Sequence, residues 1–526
     1  MSTATQEAGA GGGVGAGSAM GSWLIAPVVA LAAFMEIMDI SIANVSLPHI
    51  AGALSSSQDE STWVLTSYLV TNAAVMPISG WLSARFGRKR FFLACISGFT
   101  AASLLCGLAP SLAALVALRA AQGAFGGGLQ PVGQAILTDS FPPEKRGMAT
   151  AIYGIAAVVA PTIGPTLGGW ITDSYDWRWI FFINVPVGFA VFGLVSGLIH
   201  EHAPSRKSTK QPSMDWTGFG FVALSLGCLQ VVLDRGQEAD WFSSPVITAL
   251  ALVSAVAFVL LIWRELNARE PLVDVRLLLD RNFAVSFGLM LMLGFMLLGS
   301  TYLIPAYTQS LMGYRAVDAG MVLTPGGFLM IALLPMVGRI LNKVDLRLLI
   351  AVGLTVGGLS LLWMTNFYLG ISFGRLVFAR MLQAASLAFL FIPINTLAFR
   401  DVPRGKTDNA SALINLARNF GGSIGISFAS TMLTRREQFH QSRLVELLQG
   451  MNPAYTDYAH HLAAALGGTP DSPVTLAAVY QNAVRQATLL SYLDDFKLLG
   501  IVFLALLPLL LWVRPGAGGG RPAAMH

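Results

Sequence analysis

Charge is what this chain lacks most. Only 12% of its 526 residues are Asp, Glu, Lys or Arg, against about 25% in an ordinary soluble domain. With 54% of the residues hydrophobic, the remainder cannot clothe a water-facing surface of this size. Cysteine is equally scarce. Cys95, Cys106 and Cys228 lie in apolar stretches without paired spacing, which gives neither a disulfide framework nor a zinc site. No nucleophile–base set, metal cluster or phosphate loop is present, because the Gly126-Gly127-Gly128 run sits inside an apolar span and lacks the P-loop lysine. An enzyme is therefore the least favoured class, and no cofactor or metal is expected. Residues 1–22 are Gly/Ala/Ser-rich without Lys or Arg, a flexible tail and not a secretory signal. The net charge of +5 does not point to nucleic acid, since the basic residues gather in short connections.

What the chain has is apolar runs of about 20 residues, each long enough to cross a ~30 Å hydrocarbon core. Gly 54 and Pro 25 do not argue against helices in such a medium. Spans are expected near 23–43, 62–82, 91–109, 112–137, 149–171, 179–199, 217–233, 245–263, 283–305, 317–341, 348–369, 373–398, 409–433 and 497–513, fourteen in all. Alternate connections carry the basic residues: Arg85, Arg88, Lys89 and Arg90; Lys145 and Arg146; Arg206, Lys207 and Lys210; Arg264, Arg269, Arg276 and Arg281; Arg339, Lys343 and Arg347; Arg400, Arg404 and Lys406. The positive-inside rule makes these cytoplasmic, and with them both termini. The long loop 434–496 then falls outside. It has two amphipathic helical stretches, and His440, His460 and His461 there lack the spacing of a metal site.

The chain also repeats itself. PISGWLSAR (77–85) is echoed by PMVGRILNK (335–343), Arg119-Ala-Ala-Gln122 by Arg380-Met-Leu-Gln383, and PPEKRGMATAI (142–152) by VPRGKTDNASALI (402–414). Several matches in one order at one offset imply two related halves. The expected division is a cytoplasmic tail 1–22, a six-helix half 23–199, a linker 200–216, an extra helix pair 217–263, a linker 264–282, a six-helix half 283–513 and a tail 514–526. Parallel repeats about an axis along the membrane normal are the construction of major facilitator transporters.

Motifs sharpen that resemblance. GWLSARFGRKR (80–90) resembles the cytoplasmic loop signature of the major facilitator superfamily, LRAAQGAFGG (118–127) its fourth-helix motif, and VVAPTIGPTLGGW (158–170) the fifth-helix motif of its antiporters. MDISIANVSLPHI (38–50) and WRWIFFINVPVG (177–188) are similar to signatures of the fourteen-helix drug:proton branch, and LDRGQEADWFSS (233–244) resembles EmrB-type multidrug efflux proteins. The likeness covers residues 23–513, with one departure: Ala84 stands where the loop motif usually carries an acid. It implies an all-α polytopic fold, two six-helix halves plus two central helices. It further implies a proton-coupled exporter of hydrophobic, amphipathic or cationic drug-like compounds in a bacterial inner membrane. A periplasmic adaptor and an outer-membrane channel would be its partners. An uptake symporter of the same fold, or a non-transporting sensor or scaffold, are the alternatives.

The residues themselves point to a site. Glu36 and Asp39 interrupt an otherwise uncharged run from Trp23 to Ile42. A carboxylate in hydrocarbon costs several kcal/mol unless paired, hydrated or protonated. Three residues apart, the two share a helix face, which should look into a polar cavity. Arg119, in the middle of the fourth span, cannot shed its proton and is the expected neighbour of Asp39. These three are the candidates for proton coupling. Gly80, Arg85, Gly87, Arg88 and Lys89 form a basic gate or a topology signal. Gly123, Gly164, Gly168 and Gly169 permit close helix approach, and Pro161 and Pro165 invite a kink. Gln122, Arg418 and Asn395 are weaker candidates for the substrate cavity, and Arg380 and Arg418 could equally be snorkelling helix-end residues. Met290, Met292, Met296, Met321, Met330 and Met336 suit either an adaptable apolar site or plain packing.

Overall fold

The computed structural model describes residues 16–199, 215–268, 271–341, 343–448 and 453–514. The remaining parts of the expected tails and first linker, with Arg206, Lys207, Lys210 and Arg269, lie outside the described residues.

Helices account for nearly everything described. In chain order they are α1 (Ala16–Ala53), α2 (Gln58–Ser61), α3 (Trp63–Val75), α4 (Ser79–Phe86), α5 (Arg88–Gly107), α6 (Leu112–Gly126), α7 (Leu129–Ser140), α8 (Pro143–Ser174), α9 (Trp179–Phe182), α10 (Asn184–Leu198), α11 (Trp216–Arg235), α12 (Pro245–Asn267), α13 (Arg281–Met312), α14 (Ala316–Ile340), α15 (Leu346–Met364), α16 (Phe373–Ala398), α17 (Thr407–Leu447), α18 (Pro453–Leu466) and α19 (Pro473–Ala505). Their ends carry the expected chemistry. Asp215, Asp280 and Asp345 accept from the backbone N–H of Gly218, Phe283 and Arg347 at 2.9 Å each, satisfying donors that a helix start leaves open. Gly87, at φ 88°, makes the sharp corner between α4 and α5.

Eleven described helices are long and apolar enough to cross a membrane, or twelve with α8, whose two parts meet at 46°. Fourteen were expected, and the difference has two physical causes. The second expected span breaks at a 3₁₀ turn over Met76–Ile78, leaving the short α3 and α4. The thirteenth lies in α17, whose inner half is diluted by Asn409, Asn415, Arg418 and Asn419. Both regions are nonetheless helical.

Small residues set the tightest packing. A Cβ at Gly294 would meet the Arg418 carbonyl, and one at Gly421 or Gly425 the carbonyl of Leu291 or Phe295, so α13 and α17 lie nearly backbone to backbone. α8 packs on both α1 and α14, and α17 reaches α4 and α7, which joins the two halves. The extra pair α11–α12 leans on α3 and α17 through α11. α12 instead exposes Val246, Leu252, Val256, Val259 and Trp263, an apolar face suited to lipid. This is a multi-pass membrane protein.

Candidate functional site

Beneath the middle of α1, a polar network fills a space that apolar helices would otherwise close. Asp39 is 2% exposed and Arg119 fully buried. Arg119 Nη1 donates to Asp39 Oδ2 at 2.5 Å and to Gln122 Oε1 at 2.8 Å, while its Nε donates to the Val64 carbonyl at 3.0 Å. The other carboxylate oxygen of Asp39 accepts from Asn184 Nδ2 at 2.7 Å and Gln122 Nε2 at 3.2 Å. Asn184 is held in turn by Ser103, at 3.1 Å. A buried ion pair repays desolvation only when its remaining hydrogen-bonding sites are served. Here α1, α5, α6 and α10, and the backbone of α3, serve both oxygens of Asp39 and the Nε and Nη1 of Arg119, while Arg119 Nη2 is buried without a hydrogen-bond partner.

Glu36, one turn earlier, has different partners. Its Oε1 accepts from Asn72 Nδ2 at 2.9 Å and from the Tyr68 hydroxyl at 3.4 Å, whereas its buried Oε2 has no hydrogen-bond partner. Tyr68 links the two carboxylates: its ring lies 4.4 Å below the Arg119 guanidinium and its hydroxyl reaches Glu36.

Beside this network runs a cavity of about 520 Å³ between the halves. Its walls include Ile37, Leu297, Leu298 and Tyr302, with Asn72, Gln130, Asp234, Arg418 and Asn419 as polar points. Neither Glu36, Asp39 nor Arg119 lines it. The expectation that the acidic face of α1 looks into the cavity is thus corrected. Asp39 finds its polar surroundings inside its own half, and Asn72 stands between Glu36 and the open space.

A polar layer closes the end of the cavity nearest the basic loops. Gln134 Nε2 donates to Asn395 Oδ1 at 2.5 Å, Asn415 Nδ2 to Gln134 Oε1 at 2.5 Å, and Ser411 Oγ to the Pro131 carbonyl at 2.7 Å. Arg418 donates to Gln130 just above. Below, Arg88 bonds Asp139 at 2.6 Å and Asp408 at 3.0 Å, tying the α4–α5 corner to α7 and α17.

Comparison with known proteins agrees with this architecture. The sequence profile of the Major Facilitator Superfamily matches residues 29–426. The chain belongs to that superfamily. It is 38% identical to the multidrug export protein EmrB of Haemophilus influenzae, covering 94% of this chain and 96% of the relative. It is 37% identical to EmrB of Escherichia coli (94% and 96% covered) and 36% to the fatty acid resistance protein FarB of Neisseria gonorrhoeae (93% and 96%). Among solved structures, the human organic anion transporter MFSD10 superposes with a TM-score of 0.56 at 14% identity, covering 92% of this chain and 99% of that one. The proton:xylose symporter XylE gives 0.55 at 13%, covering 95% and 97%. Likeness at that identity concerns the fold alone.

Within the superfamily's two-half design, the second half repeats the first with altered chemistry. Gln134 and Asn395, bonded to each other, are 261 residues apart. The same offset relates Arg119 to Arg380 and Asp39 to Ser300. Arg380 is fully buried and bonds Gln383 at 2.7 Å, as Arg119 bonds Gln122, but its other partners are Ser300 and Thr301 at 3.2 and 3.1 Å. It is not a snorkelling residue, and it has hydroxyls where Arg119 has a carboxylate.

The motif residues fall where packing needs them. A Cβ at Gly80 would strike Asn409, one at Gly123 the Tyr68 carbonyl, one at Gly164 the Ser41 side chain, and one at Gly168 the Ile42 backbone. Gly169 is buried in the same α8 turn, where its carbonyl accepts from Thr172. Pro161 and Pro165 line the cavity, and the Pro161 carbonyl accepts from Ser41. Lys89 donates to the Ser196 carbonyl at 2.7 Å, and Arg85 sits in the last turn of α4. Ala84 is exposed, and the acids that meet Arg88 come from α7 and α17. Arg418 lines the cavity, whereas Gln122 lies in the Asp39 network and Asn395 in the closing layer. None of the six methionines singled out in α13 and α14 lines this cavity. His440 instead pairs with Asp494 at 2.8 Å. Sequence reasoning missed Tyr68, Asn72, Gln130, Asn184 and Asp234. The available signal was an amide, hydroxyl or carboxylate inside an apolar span.

Proposed function

We propose that this protein exports hydrophobic or amphipathic compounds across a bacterial inner membrane in exchange for protons, with Asp39 as the coupling group and both termini cytoplasmic. The observation that carries the reading is the fully buried Asp39–Arg119 pair beside, but not on, the cavity between the halves. The names of the relatives, multidrug export and fatty acid resistance proteins, support export.

The chemistry follows from the bonds. A proton on Asp39 removes the charge that holds Arg119 Nη1, so the guanidinium relaxes toward Gln122, Val64 and the Tyr68 ring. Tyr68 carries that change to Glu36, and Asn72 carries it from Glu36 to the cavity wall. Substrate and proton thus compete through a chain of contacts and need not touch. Partnership with a periplasmic adaptor and an outer-membrane channel completes the proposal. The helix α18 and the first part of α19, which belong to the long loop on the outward side before α19 runs on into the last span, are the surface such an adaptor would meet.

Inverted membrane vesicles with a pH-sensitive dye test the reading. A panel of lipophilic drugs is added after a proton gradient is imposed. At least one drug should dissipate the gradient in wild type, and none in Asp39→Asn. Equal drug-dependent flux in both proteins would remove Asp39 from the coupling role.

A further inference from the structure

The cavity wall is not made by the two halves alone. The extra helix α11 lies against α3 and α17 and brings Gln230 and Asp234 to the lining. Gln230 Nε2 donates to Asp234 Oδ1 at 3.1 Å and to Ser423 Oγ of α17 at 3.0 Å, which fixes the carboxylate at the seam. Asp234 Oδ2 has no hydrogen-bond partner, with Thr66 beside it. The cations nearby are engaged elsewhere. Arg235 pairs with Glu238 at 3.1 Å, bonds Thr62 and lies 5.3 Å over the Trp63 ring. Arg418 donates to Gln130 and faces Glu36 behind the wall. His49, at the far end, is 3.7 Å from Asp173. Asp234 therefore offers the cavity a carboxylate that makes no ion pair of its own among the described residues, the neighbouring Arg235 being paired with Glu238.

We propose that Asp234 is a substrate-binding residue that receives the cationic group of lipophilic cations, with Gln230 and Ser423 holding it in place. The apolar walls at Leu297, Leu298 and Tyr302 take the hydrophobic body. A cavity of about 520 Å³ lies within the roughly 300–1,000 Å³ of small-molecule sites. A cation that replaces water at such a carboxylate gains from the low dielectric around it. This rests on the export reading, yet it assigns a task to the inserted helix pair: α11 supplies charge selectivity to a cavity the halves otherwise make.

The test uses two ions of matched shape and opposite charge. Purified full-length protein is titrated with tetraphenylphosphonium and with tetraphenylborate. Wild type should prefer the phosphonium. Asp234→Asn should weaken phosphonium binding by roughly tenfold or more and leave borate binding unchanged or tighter, and Asp234→Glu should keep the preference. Equal loss for both ions would make Asp234 merely structural and overturn the proposal. So would unchanged phosphonium binding in Asp234→Asn, or a wild type that favours the borate or ignores the phosphonium. Export is judged separately, by proton exchange with Nile red, an uncharged dye, in vesicles. Exchange that survives while the phosphonium arm fails would sink the cation site alone.

Discussion

Asp39 and Arg119 each have more to lose alone than together. Removing the guanidinium leaves a carboxylate with only two amide donors in a dry interior, a change that costs about 3–5 kcal/mol at buried pairs. Arg119→Leu is expected to lower thermal stability in detergent sharply, and Asp39→Asn on top of it should restore part of the loss. A double variant no better than Arg119→Leu would mean that the pair carries no such energy. This pair was legible in the sequence, because two charges of opposite sign in uncharged runs demand each other. Its supporting residues were not. Asn184 and Tyr68 are ordinary in membrane helices, and only the crossing of α10 and α3 near α1 makes them partners. The face shared by Glu36 and Asp39 was also legible. What it faces was not, since amide side chains on neighbouring helices replaced the expected water.

At the scale of helices, we propose that the close approach between α1 and α8 limits leak. A Cβ on Gly168 would lie 3.1 Å from the Ile42 backbone, whereas one on Gly193 meets nothing within 4 Å. Gly168→Leu should wedge the two helices apart, at an overpacking cost of about 1–3 kcal/mol, and raise proton leak in drug-free vesicles. Gly193→Leu should not. Equal leak in both would detach α8 packing from tightness. The inserted pair has its own fastening. Asp215 caps α11 and takes Arg264 of α12 at 2.7 and 2.8 Å. The Arg264 bonds hold its carboxyl well below the usual carboxylate range. Its contribution is thus present above that range and lost only as pH falls beneath it. Asp215→Ala should cost about 1 kcal/mol through the lost cap. Taking wild type from pH 7 to pH 5 should not reproduce that loss, as melting curves at both values would reveal. Helix positions were readable from apolar runs, but the break at Met76–Ile78 and the polar dilution of α17 depend on which neighbours receive the exposed backbone and side chains.

For the whole molecule, the repeat visible in the sequence becomes a near-symmetric frame with unequal content. Gln134 meets Asn395 where the halves join, and Arg119 and Arg380 sit alike, but only one faces a carboxylate. The offset was legible from matching motifs. The asymmetry became meaningful only when Ser300 appeared where Asp39 stands in the other half. That asymmetry is why we propose the proton-coupling group in the first half. We propose that closure depends on both halves: Arg88→Ala removes the bonds to Asp139 and Asp408 and should raise thiol-reagent labelling of a cysteine introduced at Ser411, whereas unchanged labelling would free the loop from any gating role. The most direct test of coupling is proton release from the purified protein in weakly buffered detergent as a bound drug is titrated in. Wild type should release protons on binding, and Asp39→Asn should bind the same drug and release none. Proton release of the same size from Asp39→Asn would contradict the assignment of coupling to that residue.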